Sequence, residues 1–575
     1  LEDETGAGKT EAAMTLASRL TGSGAAQGVL VSLPTQTTAN SLFKRIAPLA
    51  GKLFDPRARP ALSLAHGKGE YALRRLLSRD LREGDISGEL HAWCTDSSKT
   101  ALLADFGVCT VDQVVLSALP VKHNVLRQLG LGRKVLVVDE AHACEPYLME
   151  LLALTLRLHA QRGGSAIILS ATLPNTEKLR LLRAFAEGAG HAVPARISSD
   201  AYPLSTRLNG NGCMLEPVSN SRGPRDLRME PVRGAQVPGL IAQWLHAGDS
   251  VCLLLNTVRA AQRAYDQYSV SFPGQVELVH ARFTARHRGD NDARLLERFG
   301  KTAEPAGRRG RLVIATQVAE QSLDVDFDQM VTDLAPLDAL LQRAGRWRRH
   351  VRTAAGEVIP ARSASDGRAA GALHVIMPPV AGNEAFIEQL SPFTMQVYDQ
   401  PGVLYRTAQL VEQQRGLRLP CGVRTAMEQV YDAQAAVPAF LQPSDDGAQG
   451  RQQAERMRAR YVRLDPDKGY SCAQPPVPNE ECVTRLGEPS HCVVLCDDKG
   501  KPLFGDAEES GVAVRASLLA LSVEEDGRTR LKMQPGALDR WYARAWDPRG
   551  RLRVVRYSRE RGLSVSEPQR RGSSG

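Results

Sequence analysis

The chain has 575 residues, 43% hydrophobic and 24% charged, with a formal net charge of +9 and an isoelectric point near 9.1. That is the balance of a soluble globular protein of about three or four domains, and its basic surplus fits a polyanionic partner. No apolar run approaches the ~20 residues of a membrane helix, so no membrane association is expected and the cytoplasm is the expected compartment.

The first ten residues, LEDETGAGKT, end as a phosphate-binding loop does. Backbone N–H groups over Thr5, Gly6, Ala7 and Gly8 would surround a polyphosphate, Lys9 would reach its terminal phosphates, and the Thr10 hydroxyl would hold magnesium. A buried strand of about five residues normally precedes such a loop. Only Leu1 could belong to one here, and no initiator Met is present, so the chain is expected to be a fragment of a longer protein.

GVLVSLPT (28–35), GVCTVD (107–112), KVLVVDEAH (134–142) and SAIILSATLP (165–174) are apolar runs that end in polar residues. Helical stretches such as YLMELLALTLRLHAQR (147–162) separate them. Buried strands with polar carboxyl ends are the mark of an open parallel α/β sheet. A first α/β domain carrying the phosphate loop is expected over 1–205, followed by a Gly-, Pro- and Arg-rich linker or insertion over 206–236. DSVCLLLNT, QVELVHARF, GRLVIATQ, FDQMVTDL and ALHVIMPPV then mark a second α/β domain over 237–384 with no second phosphate loop. Two sheets with one nucleotide loop imply a shared site. The fold class is thus α/β, two tandem domains with parallel sheets and a smaller C-terminal accessory domain over 385–560. In that last part SHCVVLCDDKGKPLFGD (490–506) reads as a hairpin and 561–575 as a disordered tail. The ten cysteines contain no C-x-x-C pair, which argues against a disulfide framework. Cys472, Cys482, Cys492 and Cys496, with His491, are zinc-ligand types, but HCVVLC has the spacing of a strand, which argues against a metal site.

VVDEAH places Asp139 and Glu140 at the tip of an apolar strand. Asp139 would hold magnesium, and Glu140 would orient and deprotonate the water attacking a γ-phosphate. An isolated Asp-Glu pair is as often a helix cap; a phosphate loop 130 residues upstream decides for the catalytic reading. SATLP offers the hydroxyls of Ser170 and Thr172, which alone would be capping residues. QRAGRWRRH (342–350) carries Arg343, Arg346, Arg348 and Arg349. Such a run is commonly a solvated helix face, but in a sheet without a phosphate loop it fits arginine fingers that neutralise the transferring phosphoryl group.

TGAGKT, DEAH, SATLP, TQVAEQSLDVD and QRAGRWRRH, in this order, resemble the motifs of superfamily-two DExH helicases. LPTQTTAN, AHGKGE, GVCTVDQVVLSALPVKHNVLRQLGL, DEAHACEPYLMELL and TRLGEPS more narrowly resemble the helicase part of the CRISPR-associated helicase-nuclease of type I interference systems. The resemblance implies that the two parallel-sheet domains are RecA-like and form an ATP- and magnesium-dependent motor on single-stranded DNA, recruited by a guide-RNA surveillance complex of the Cascade type. The HD-type nuclease of that family, absent from these residues, is expected upstream. By position it implies catalysis by Lys9, Asp139, Glu140, Gln342, Arg346 and Arg349, and a ribose contact from Asp324. His142, with Ser170 and Thr172, would couple nucleotide to movement. Pro34, Thr35, Thr110, Asp112, Gln113, Thr257 and Thr316 would lie along the nucleic-acid track, although a cap or turn is the commoner role of any one Thr. Two alternatives stay open: a DExH RNA helicase of another pathway, and an inactive binding fragment.

Overall fold

The computed structural model describes residues 1–47, 60–65, 100–197, 199–219, 223–320, 324–360, 365–378, 385–391, 394–432, 435–468, 482–486, 490–496, 518–522, 530–532, 534–536, 540–546 and 552–565. The chain forms two compact units, Leu1–Arg225 with Arg418–Leu486, and Asp226–Leu417 with Gly487–Gly575. Part of AHGKGE, residues 321–323 of TQVAEQSLDVD and the chain from 566 lie outside the described residues.

The first unit is built on a parallel sheet of β1 (Val29–Leu33), β2 (Leu62–Ala65), β3 (Phe106–Thr110), β4 (Val135–Val138) and β5 (Ser165–Ile168), in the order β2-β3-β1-β4-β5. Its strands are apolar on both faces because both are covered. Val29, Val31, Val135 and Val137 pack with Ala13 and Ala17 of helix α1 (Lys9–Gly22). Leu30, Leu136 and Val138 pack with Tyr147, Leu151 and Leu152 of the helix Pro146–Gln161. Truncating Leu136, fully buried, would cost about 2–5 kcal/mol in lost transfer and a cavity.

The segment Arg418–Leu486 belongs to this unit. Its helix Gln442–Val462 sets Ala459 and Val462 into the same core, and Arg460 and Arg463 reach Glu150 at 2.8 and 3.2 Å. On the helix Gly422–Tyr431, Arg424 pairs with Glu2 and donates to Leu173 O at 3.0 Å.

The stretch expected as a linker or insertion over 206–236 contains three strands. β6 (Leu204–Asn209) and β7 (Gly212–Pro217) form an antiparallel hairpin, and β8 (Arg225–Val232) enters the sheet of the second unit. The Gly and Pro content masked an alternation, with Leu227 and Met229 buried between polar neighbours. That sheet also contains β9 (Val251–Leu254), β10 (Val276–Val279), β11 (Leu312–Ala315), β12 (Gln329–Asp333), β13 (Leu373–Ile376) and β14 (Gly416–Leu419), ordered β10-β11-β9-β12-β13-β8-β14. The pairings from β10 to β8 are all parallel.

Beyond Gly487, β15 (Ser490–Cys496) pairs with β16 (Leu518–Ser522) and β17 (Arg530–Lys532). A second small sheet runs β18 (Gln534–Gly536), β19 (Arg540–Trp546), β20 (Leu552–Ser558) and β21 (Gly562–Val565). The expected tail therefore begins with a strand. Leu563 is fully buried, and Tyr557, 1% exposed, lies 2.7 Å through its hydroxyl from His287 Nδ1. The other half of the hairpin expected over 490–506 lies outside the described residues. Cys492 and Cys496 lie on β15, Cys482 is buried, and Cys472 is outside the described residues. Among the described residues no three His, Cys, Asp or Glu side chains gather as metal ligands, and no helix is long and apolar enough to cross a membrane.

Candidate active site

In the first unit the carboxyl ends of β1, β4 and β5 bring the predicted residues together. Leu1–Asp3 runs beside the end of β5: Ser170 N donates to Leu1 O at 3.1 Å, and Asp3 N to Ser170 O at 3.2 Å. The loop then turns through Gly6 and Gly8, with φ of 81° and 100°. This left-handed backbone costs an L side chain about 1–2 kcal/mol, which accounts for glycine at both places. Gly8 caps α1, so Lys9 and Thr10 form its first turn, where unpaired N–H groups and the helix dipole favour an anion. The Lys9 ammonium, 7% exposed, donates to Asp3 O at 2.8 Å and Glu4 O at 3.0 Å.

Asp139 follows β4, its N–H donating to Ser32 O of β1 at 2.9 Å. Thr10 Oγ1 donates to Asp139 Oδ2 at 3.2 Å, joining the loop to the acid pair. Burial, then the neighbouring Glu140 charge, push the Asp139 carboxyl up to about 6, against Lys9 and hydrogen bonds from Glu140 N–H and Thr10. Glu140 takes φ of 53°, and its N–H donates to Asp139 Oδ1 at 2.9 Å. A non-glycine residue in this region stores strain, a common feature of functional sites. Glu140 Oε2 stands 3.6 Å from His142 Nε2, and His142 Nδ1 3.0 Å from Ser170 Oγ. Ser170 gives its hydroxyl hydrogen to Thr172 O at 2.8 Å, so it accepts from His142. A polar chain thus runs from Glu140 through His142 and Ser170 to Thr172.

Pro34, Thr35, Thr110, Asp112 and Gln113 lie at or just past the ends of β1 and β3. Thr35 Oγ1 accepts from Thr38 N at 3.3 Å, capping a helix. Gln113 accepts from Arg127 Nη1 at 2.9 Å. Asp112 is held by Arg485, Nε to Oδ1 at 2.9 Å and Nη2 to Oδ2 at 3.2 Å. Arg485 lies in TRLGEPS, but nothing local in that stretch marks it as the partner of Asp112.

In the second unit Thr257 caps the helix Val258–Ser271, accepting from Ala260 N at 3.2 Å, and Thr316 is 2% exposed after β11. Gln342 lies half-buried on the helix Leu337–Ala344. Its neighbour Arg343 is fully buried, donating to Glu320 Oε1 at 2.7 Å, Thr332 Oγ1 at 2.6 Å, Asn256 Oδ1 at 3.2 Å and Tyr398 Oη at 2.9 Å. It is therefore a structural hub, a role visible in the sequence only as one more arginine of a charge run. Arg346 donates to Glu320 O at 2.6 Å. Arg349 pairs with Asp324, and His350 Nε2 stands 3.1 Å from the same carboxylate. Burial would raise the Asp324 carboxyl, but the His350 hydrogen bond and Arg349 charge win and hold it well below the usual range. Arg348 stacks on Trp347, 5.2 Å from the ring centre.

A phosphate loop bonded to a strand-end acid pair on one parallel sheet, with a second parallel-sheet unit that lacks such a loop, defines the class as a tandem RecA-like α/β protein. The family model of the C-terminal part of the CRISPR-associated nuclease/helicase Cas3 matches residues 247–352. The CRISPR-associated endonuclease/helicase Cas3 of Escherichia coli (strain K12) is 36% identical over 85% of this chain and 54% of its own length. That of Thermus thermophilus is 30% identical over 88% of this chain and 60% of its own. Crystal structures of T. fusca Cas3 and T. fusca Cas3-ATP, each 25% identical, cover 98% of this chain, with TM-scores of 0.78 and 0.77. They match over 68% and 67% of their own chains. The chain is a homologue of the CRISPR-associated Cas3 nuclease/helicases, and it spans little more than half the length of the two curated relatives.

Proposed function

We propose that this chain is the ATP-dependent motor of a type I CRISPR interference enzyme. It translocates on single-stranded DNA, unwinds target DNA and feeds it to an HD-type nuclease after recruitment by a Cascade-type guide-RNA surveillance complex. The observation that carries the reading is the Thr10–Asp139 hydrogen bond, which joins phosphate loop and acid pair. The names of the curated relatives, the likeness to T. fusca Cas3-ATP and the net charge of +9 support it.

The chemistry follows from the residues. Lys9, held by two carbonyls, has a third N–H to give a γ-phosphate. The N–H groups of the loop and first helical turn hold the remaining phosphate oxygens. Glu140 accepts the proton of the attacking water, and the His142–Ser170–Thr172 chain transmits the state of that carboxylate to the segment after β5. Thr10 and Asp139 offer two hard oxygen donors 3.2 Å apart, which fit magnesium, an ion that takes few protein ligands besides nucleotide phosphates. When bound, magnesium would neutralise charge on the transferring phosphoryl group. Arg346 and Arg349 act as fingers in the same hydrolysis cycle. The cytoplasm is the compartment in which such a motor meets invading DNA.

Strand displacement tests the proposal. A DNA duplex with a single-stranded overhang should be separated with ATP and magnesium, and Lys9→Ala and Glu140→Gln should each abolish separation. Separation of RNA duplexes alone would assign the chain to RNA metabolism instead.

A further inference from the structure

A carboxylate is a poor neighbour for a phosphate, yet Asp112 stands among the residues read as the nucleic-acid track. Arg485 resolves the conflict. Its Nε and Nη2 grip both Asp112 oxygens at 2.9 and 3.2 Å, and Nη2 also donates to Pro34 O, past the end of β1, at 2.7 Å. One guanidinium thus bridges the segments that follow β1 and β3. The five-residue stretch carrying it is docked on the first unit. Cys482 is buried, Val483 O accepts from Tyr147 Oη at 2.8 Å, and Leu486 packs on the core below. Arg485 therefore has a fixed position while 38% of its side chain remains exposed, and Nη1 makes none of these bonds. Glu145 adds a weaker negative influence on the same guanidinium, after that of Asp112.

We infer that Arg485 is a nucleic-acid phosphate contact and that Asp112 is its positioning residue rather than a contact itself. The inference rests on the function proposed above and adds to it the group that meets the backbone. A guanidinium clamped on one edge by a carboxylate keeps its other N–H groups in a fixed fork for a phosphate oxygen. Asp112 spends its charge on that clamp.

The test is the salt dependence of affinity for a single-stranded oligothymidylate, measured without nucleotide on the unaltered chain, Arg485→Gln, Arg485→Lys and Asp112→Asn, each checked by its melting midpoint. One lost phosphate contact on a single strand lowers the slope of log affinity against log salt by about 0.7. Arg485→Gln should show that drop. Arg485→Lys should keep most of the slope, because the charge remains. Asp112→Asn should weaken binding although it removes a negative charge, whereas tighter binding by Asp112→Asn would mean that the carboxylate merely repels the strand and would overturn the positioning role. An unchanged slope in a folded Arg485→Gln, beside normal binding by the unaltered chain, would overturn the contact and leave the motor standing. If Arg485→Gln does not fold, an unweakened affinity in Asp112→Asn overturns the inference in its place. No binding by the unaltered chain at any salt would remove both the motor and this inference.

Discussion

Thr10 and Asp139, 129 positions apart in sequence, meet at 3.2 Å through a hydroxyl-to-carboxylate hydrogen bond. The parallel sheet makes the meeting possible. β4 pairs with β5, and Leu1–Asp3 runs beside the end of β5, so the residue after β4 lies close to the loop that opens α1.

That placement makes Asp139 costly to the fold. Its carboxyl is pushed up to about 6 from an ordinary 3.8, chiefly by burial and then by Glu140. The folded state therefore holds the proton more tightly than the unfolded chain. The stabilisation is full below the unfolded value and is lost as pH rises through about 6. Asp139→Asn should accordingly raise stability near neutral pH by about 1–3 kcal/mol, with the difference closing below about pH 4. The same variant should lose ATP turnover. Urea unfolding at the two pH extremes checks the first statement and a phosphate-release assay the second.

Arg346 is read as a finger although it is 4% exposed and donates to Glu320 O. If it stabilises the transition state rather than binding nucleotide, Arg346→Lys should lower turnover by about 10³-fold or more with little change in nucleotide affinity. Titration with a fluorescent ATP analogue beside steady-state kinetics separates the two effects.

A buried charge network lies outside the predicted site. Asp326, fully buried, meets Arg308 at 3.2 Å, Arg352 at 2.5 Å and Arg368 at 3.2 Å. Asp328 pairs with Arg308 and Arg368 at 2.8 and 3.0 Å. Removing the central carboxylate strands buried guanidinium charge, so Asp326→Ala should cost about 3–5 kcal/mol in equilibrium unfolding of the second unit.

What is encoded locally is legible in the sequence. Apolar runs with polar ends marked β1, β4, β5, β9 and β11, because strands covered on both faces must be apolar throughout. The positions of Asp139 and Glu140 were readable because DEAH ends an apolar strand, and those of Lys9 and Thr10 because the Gly-Lys-Thr ending of a phosphate loop opens a helix. What escaped depends on partners distant in sequence. Arg424 with Glu2, Arg460 with Glu150 and Arg485 with Asp112 tie the segment Arg418–Leu486 to the first unit across more than 300 residues. No periodicity announces such contacts. β8 was missed for another reason: its alternation of Leu227 and Met229 was outweighed by nearby Gly, Pro and Arg, which are loop signals only when no sheet edge is available.

Hydrolysis at the proposed Lys9–Asp139–Glu140 site should be coupled to a nucleic-acid strand. ATP turnover with and without single-stranded DNA, beside a Lys9→Ala control, tests it most directly. Strong stimulation by DNA that Lys9→Ala abolishes is expected; turnover indifferent to DNA, or raised by RNA alone, would rule out a DNA-coupled motor.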